Sequence, residues 1–447
     1  MKKAILTFLI WNQLGKLEIQ TEERSIAVKI KPKKNRAVNQ NVLIATVDGG
    51  KDKHCGYYRC PDGPECKVFD FWNNGRGFQE FWERISSTAE KHGLAEIIIG
   101  FESTGPYMEP LVQFLRNKNG VRLVQVNPMH TKRLKELSGN SPLKTDRKDP
   151  KVIADIIELG HALTVVIPEG PAAELRRLSQ GRERTMERRT ALFNQLQCLL
   201  AIIFPEFLQV MKDVKTASAL YLVRHHPVPQ DIVTLGESAL AALLREVSRG
   251  KLREDRARAL FEAANESVGV KEGRDSMLLE IRLMLDMIAT SDRFIEGLEA
   301  EMIRYLEQIP YSHLILSLKG IGPVTAAGLI GEVGDFTKFR TIAEVLKLAG
   351  LDLYEVSSGK HRGKLRISKR GRPLMRKLLY LAALSAVRKG GVMHEWYQRA
   401  LGRGMIKTKA LVAVSRKLLG IIYALVRDHS VYVENYMKQK LILQEAA

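Results

Sequence analysis

Four carboxylates and one serine carry the chemistry that this sequence offers. Asp48 ends the apolar run Val42-Leu43-Ile44-Ala45-Thr46-Val47, and Glu102 ends Ile97-Ile98-Ile99-Gly100-Phe101. Asp146 and Asp149 follow in the segment Lys144-Thr145-Asp146-Arg147-Lys148-Asp149. A lone carboxylate at the tip of a buried strand is costly to desolvate unless a cation meets it there. Gathered at one place, the four would repel one another unless divalent ions filled the gap. Hard oxygen donors suit magnesium, with manganese as the alternative. Two such ions can activate an attacking oxygen and stabilise the leaving oxygen of a phosphodiester.

Each carboxylate also has a plainer reading. Asp48 can be a strand-ending turn residue, Asp146 a solvated loop charge, and Asp149 a helix N-cap ahead of Pro150 at the first helical position. The serine is Ser358, with Ser357 its only close rival, in Ser357-Ser358-Gly359. A hydroxyl is a weak nucleophile until a base or metal activates it, and no His or Lys base is fixed beside this one in sequence. Read by itself, the segment is a flexible loop.

The elements that must hold these groups can be read from periodicity. The run ending in Asp48 is short, β-branched and closed by Gly49-Gly50, so it reads as a buried strand followed by polar turn residues. Residues 67–72, Ile97–Phe101 and Val121–Val126 read as further strands. Gly77–His92, the segment after Pro106 and Lys151–Leu159 read as helices. Strands alternating with helices imply a mostly parallel α/β sheet. Beyond Pro171 the text is helical. In the long helix Ser276–Ile309, Met277, Ile281, Met284, Ile288, Ile295, Leu298 and Met302 recur at steps of three and four, the pattern of a coiled-coil seam, which favours self-association.

Lys319-Gly320-Ile321-Gly322-Pro323 then forms a turn between helices, similar to the helix-hairpin-helix used for sequence-independent DNA contact. Backbone N–H groups at such a helix start can meet a phosphate, so Lys319, Gly320 and Gly322 are candidate DNA contacts. Residues 360–377 hold nine Lys or Arg and no acid. That one-sided charge repels itself unless phosphates neutralise it. Lys360, Arg362, Lys364, Arg366, Lys369, Arg370 and Arg372 are its candidate nucleic-acid contacts.

Composition agrees. The 447 residues carry 70 Lys and Arg against 50 Asp and Glu, a formal charge of +20 that favours a polyanionic partner. The 97 residues from Leu351 onward hold 20 of these cations and 6 acids. Four cysteines, Cys55, Cys60, Cys66 and Cys198, are too sparse for a disulfide framework and suit a reducing cytoplasm. His54 with the first three tempts a zinc reading, but the spacing fits no paired C-x-x-C pattern. No segment is apolar for long enough to span a bilayer. The start, Lys2-Lys3 before an apolar stretch, lacks a small-residue cleavage site, so it reads as a mobile extension instead of a leader.

Asp48 after an apolar strand, Glu102-Ser103-Thr104-Gly105-Pro106-Tyr107, Asn127-Pro128 and Lys144 to Asp149 together resemble the DEDD-type transposases of bacterial insertion sequences. Gly320-Ile321-Gly322-Pro323, Ala349-Gly350-Leu351, Ser358-Gly359 and Ile367-Ser368-Lys369-Arg370-Gly371 resemble the carboxy-terminal transposase domain of the same family. The likeness covers roughly residues 41–430.

It implies an α/β plus all-α chain. The expected order is an N-terminal extension (1–40), a RuvC-like domain of RNase H fold (41–165), a helical coiled-coil middle (170–310), a C-terminal transposase domain with the helix-hairpin-helix-like turn (311–430), and a tail (431–447). It implies that Asp48, Glu102, Asp146 and Asp149 bind magnesium, and that Ser358 attacks a DNA phosphate to form a phosphoserine link. It also implies guidance by a structured bridge RNA and assembly as a homo-oligomer, a dimer or a tetramer. Pro150 and the long middle depart from the family plan, so a capping role for Asp149 stays open. Two other readings stay open as well: a metal-dependent nuclease resembling a Holliday junction resolvase, and a non-catalytic nucleic-acid-binding protein.

Overall fold

The computed structural model describes residues 41–61, 65–102, 105–139, 148–358, 363 and 365–434. The chain divides into two compact units, Met1–Val166 and Ile167–Ala447.

The first unit is built on a six-stranded sheet in the order β3-β2-β1-β4-β5-β6. Its strands are β1 (Val42–Asp48), β2 (Lys53–Arg59), β3 (Phe69–Trp72), β4 (Glu96–Glu102), β5 (Val121–Val126) and β6 (Leu163–Thr164). β1 pairs parallel with β4, and β4 with β5, while β2, β3 and β6 run antiparallel to their neighbours. The sheet is therefore mixed, where the alternation of strands and helices predicts a mostly parallel one. The difference lies in β2: Lys53-His54-Cys55-Gly56-Tyr57-Tyr58-Arg59 contains no apolar run, yet it closes a tight hairpin on β1. This mixed sheet with helices packed on it is consistent with an RNase H-like unit.

Helices α1 (Gly75–Lys91), α2 (Glu109–Leu115), α3 (Pro128–Gly139) and α4 (Asp149–Glu158) accompany the sheet. The Asn74 side chain caps α1 by accepting from the Gly77 N–H at 2.9 Å. α4 lays Val152, Ile153, Ile156 and Ile157 onto Val42, Ile44 and Ile98 of the central strands.

The second unit is helical. The long helices α5 (Gly170–Ile203) and α11 (Arg274–Leu306) run side by side. Arg182 pairs with Glu299 and Arg189 with Asp292, so residue numbers fall on one helix as they rise on the other, which makes the pair antiparallel. The seam expected to join two copies is covered within the chain. Ile281, Met284 and Ile288 share a core with Leu196 and Leu200 of α5. Met302, at the other end, shares one with Ala172 and Leu175. A partner tethered on the same chain reaches the seam at little entropic cost, so it wins over a second molecule.

Five short helices pack on the far end of this hairpin: α6 (Phe207–Val210), α7 (Ala217–His225), α8 (Pro229–Leu235), α9 (Glu237–Val247) and α10 (Glu254–Asn265). The near end joins α12 (Ser312–Leu316), α13 (Pro323–Val333), α14 (Ile342–Ala349), α15 (Pro373–Ala386), α16 (His394–Gly402) and α17 (Lys407–Arg427). There α13, α15 and α17 supply most of the second core. A two-stranded hairpin, β7 (Leu353–Tyr354) and β8 (Arg366–Ile367), leaves α14 and returns to α15. Among the described residues no helix is long and apolar enough to cross a membrane.

Candidate functional site

Side chains alternate across a strand, so Ile44, Thr46 and Asp48 share one face of β1, and Ile98, Gly100 and Glu102 share one face of β4. Ile44 and Ile98 both lie under α4, which identifies the two faces as the same one. The parallel register sets Thr46 beside Gly100 and Val47 beside Phe101. Asp48 and Glu102 are the next positions on that shared face, at the carboxyl ends of adjacent strands, and both are half-buried. Adjacent strands lie about 4.8 Å apart, so the two carboxylates start from neighbouring backbone.

The start of α4 meets the same edge. The Thr46 hydroxyl donates to the Pro150 carbonyl at 2.7 Å in a buried hydrogen bond. Gly100 lets the helix come close, because a Cβ there would stand 2.2 Å from Ile157 Cδ1. Asp149, next to Pro150, is 8% exposed and forms an ion pair with Lys135 of α3. It does not cap the helix: Lys148 occupies the N-cap position without a side-chain bond, and Asp149 is the first helical residue. Three of the four predicted carboxylates thus converge on one sheet edge. Asp146 lies outside the described residues.

Among the described residues, no three metal-ligating side chains stand close enough to hold an ion by themselves. The donors present nonetheless fit a hard cation. All three are carboxylates, they share a strand-end region, and a cation, the Lys135 ammonium, already answers the buried one. One soft ligand stands nearby: Cys55 pairs with Asp48 across the β1–β2 ladder, on the face that carries the carboxylates, whereas His54 faces the other side and Cys66 Sγ accepts from the Tyr58 N–H at 3.1 Å.

The tip of the β1–β2 hairpin holds a residue that periodicity does not flag. His54 is 1% exposed, its ring stacked near Phe78, and its Nδ1 accepts from the Gly50 N–H at 3.2 Å. Burial pushes its imidazole below the ordinary value, with the Asn73 side chain opposing. The neutral ring carries its proton on Nε2 and ties down the turn that follows Asp48.

The basic region of the second unit divides into parts held differently. Ser358 is exposed at the outer part of the β7–β8 hairpin. The hairpin's base is fixed: Ser368 donates through its backbone to the Asp352 carbonyl at 2.9 Å and through its hydroxyl to the Asp352 carboxylate. Lys369 and Arg372 are anchored through their backbones to Gly350 and Leu348. The side chains of Arg366, Lys369 and Arg370 face outward. Arg372 does not. Its guanidinium donates to the Glu332 carbonyl and lies 3.9 Å from the Glu332 carboxylate, which is 3% exposed. Burial, reinforced by neighbouring Arg176, pushes its pKa down to about 10. Arg372 therefore ties α15 to α13 inside the unit. Lys360, Arg362 and Lys364 lie outside the described residues.

Lys319 and Gly320 occupy the turn between α12 and α13, and Gly322 is the N-cap of α13, with Pro323 next. Gly320 has φ +99°, a conformation that side-chain-bearing residues rarely adopt. Lys319 already meets an anion: its ammonium pairs at 2.8 Å with Glu434. That residue arrives on a C-terminal segment anchored by the Tyr432 N–H, which donates to the Ser317 hydroxyl at 2.8 Å. Nothing in the local sequence of either residue signals this pairing.

Two families match the chain. Residues 45–205 match the DEDD transposase family of IS110 elements, and residues 312–398 match the family described as Transposase IS116/IS110/IS902. An insertion element IS110 uncharacterized 43.6 kDa protein of Streptomyces coelicolor is 24% identical over 392 residues, covering 86% of this chain and 94% of its own. An insertion element IS900 uncharacterized 42 kDa protein of Mycobacterium paratuberculosis is 25% identical, covering 65% of this chain and 73% of its own. An insertion element IS116 uncharacterized 44.8 kDa protein of Streptomyces clavuligerus is also 25% identical, covering 65% and 72%.

Proposed function

We propose that this chain, a DNA transposase carrying the DEDD and the IS116/IS110/IS902 transposase domains of insertion sequences, recombines DNA by combining the acidic sheet edge with Ser358. The observation that carries the reading is the shared face of Asp48 and Glu102 at adjacent strand ends, with Asp149 delivered beside them by α4. Such carboxylates, side by side, are destabilising without a cation.

Asp48, Glu102 and Asp149, joined by Asp146, would hold magnesium, with manganese the alternative. Bound there, the ion would supply the positive charge that favours an oxygen nucleophile and neutralises a phosphate. Asp149 is held for this by Lys135, and the neighbouring Pro150 carbonyl by Thr46. The Ser358 oxygen bonds to phosphorus as the scissile bond to the sugar oxygen breaks. The serine proton leaves and the departing sugar oxygen gains one. A hydroxyl of another strand then displaces the serine, so one phosphodiester replaces another and no energy-rich cofactor is consumed. Arg366, Lys369 and Arg370, together with Lys360, Arg362 and Lys364, hold the phosphates. Lys319, Gly320 and Gly322 contact the duplex backbone. Arg372 supports this surface from within.

The reading includes a structured bridge RNA as guide, a cytoplasmic setting, and a dimer or tetramer whose reacting groups come from one copy or from two. The seam Ile281 to Met302 is consumed within the chain, so such an assembly would use other surfaces.

The test is covalent capture. Incubated with magnesium and a duplex carrying the end of its own element, together with RNA co-purified with it, the wild-type chain forms a protein–DNA adduct and Ser358→Ala does not. Cleavage that survives Ser358→Ala without any adduct would make water the nucleophile and the protein a metal-dependent nuclease.

A further inference from the structure

Ser357 and Ser358 are neighbours and both are exposed, yet their hydroxyls stand in different surroundings. The Ser357 hydroxyl donates to Glu355 Oε1 at 2.5 Å and accepts from the Gly363 N–H at 3.2 Å. Its proton and a lone pair are both committed. The crossing that brings Gly363 there admits no side chain, because a Cβ on Gly363 would stand 2.0 Å from the Val356 carbonyl oxygen. No hydrogen bond joins the Ser358 hydroxyl to any described residue.

We propose that Glu355 and Ser357 are positioning residues: through Gly363 they tie the two ends of the Ser358 loop together, holding Ser358 outward and keeping the Ser357 hydroxyl out of the reaction. The inference rests on the serine reading above and adds the device that selects between the two serines. Ser358, whose hydroxyl meets no described residue, would otherwise sample many orientations, and few of them line up with a phosphate. Ordering it beforehand raises the fraction of encounters that react, without adding any contact to DNA. Ser357 suits the task because a hydroxyl can bridge a carboxylate and an N–H at once. Glu355 suits it because a charged acceptor makes the stronger bond.

The separating experiment uses the full chain with the same element-end duplex, magnesium and co-purified RNA. It measures the single-turnover rate of adduct formation, the DNA affinity, and the adducted residue by peptide mass spectrometry. The expected adduct is on Ser358. Ser357→Ala and Glu355→Ala slow its formation by about 10- to 100-fold with DNA affinity unchanged. Ser357→Thr, which keeps the bridging hydroxyl, restores the rate to within about threefold. A wild-type adduct on Ser357 overturns the proposal while leaving serine chemistry intact. So does a wild-type rate in Ser357→Ala, or a Ser357→Thr variant as slow as Ser357→Ala. No adduct on any residue of the wild-type chain overturns the serine reading itself, and the proposal with it.

Discussion

The acidic sheet edge and the serine hairpin hold the proposed reacting groups under opposite mechanical conditions. Asp48 and Glu102 sit at the ends of strands whose other residues are almost wholly buried, and Asp149 is held by an ion pair beside Pro150, whose carbonyl accepts a buried hydrogen bond. Ser358 stands on a two-residue-per-strand hairpin in which Glu355 to Ser358 are exposed. Groups of like charge must be forced together, which takes a rigid core. The proposed nucleophile, to reach a phosphate, needs a firm base and an exposed position. The base is anchored by Asp352 and Ser368, and Ser358 is exposed beyond it.

The largest effect should come from the sheet edge. Asp48→Ala or Glu102→Ala should lower DNA cleavage by about 1,000-fold or more, with the circular dichroism of the folded chain retained. Cleavage at the wild-type rate in either variant would remove the sheet edge from the reaction.

The contrast in rigidity can be tested by thermal or denaturant unfolding. Ile98→Ala, which opens the core beneath α4 at a residue 1% exposed, should cost about 2–5 kcal/mol. Val356→Ala in the hairpin, at a residue 69% exposed, should change stability by no more than about 0.5 kcal/mol. Equal costs would erase the distinction.

Lys135→Ala sharpens the comparison from within the acidic edge. It leaves Asp149 buried without its partner and should cost about 1–3 kcal/mol. Added magnesium should restore more of the unfolding midpoint in this variant than in the wild type. An identical magnesium response in the two would argue that Asp149 serves the fold alone.

A smaller, pH-dependent effect follows from His54. Its folded-state pKa lies below the ordinary 6.5 because burial disfavours the charged ring. The unfolded chain therefore takes up the proton first as pH falls. The contribution is fully present above 6.5 and declines below it, by at most about 1.4 kcal/mol per pH unit. Unfolding midpoints measured from about pH 7.5 to about pH 5 should show this slope, and His54→Gln should flatten it.

The smallest effect belongs to the basic unit. Glu434→Gln frees Lys319 and should tighten binding of a short DNA duplex by about two- to threefold at low salt, the gain fading as salt rises. Unchanged affinity at every salt concentration would mean that the Lys319 turn does not meet DNA.

Much of this arrangement is written in short stretches. Val42 to Asp48 announces a strand, Met277 to Met302 a seam, and Gly320-Ile321-Gly322 a turn, because apolar spacing and glycine constraints act between residues close along the chain. What tertiary structure alone decided is which distant groups meet. β2 carries no periodic signal and forms because β1 and β3 offer it open backbone. The seam found α5 of its own chain. Arg372, one cation among nine, turned inward to Glu332, while Arg366, Lys369 and Arg370 stayed outward. Lys135 reached Asp149, and Glu434 reached Lys319 across more than a hundred residues of intervening chain. A charge reveals its type in the sequence, but its partner depends on how far each helix and strand extends and which face it presents.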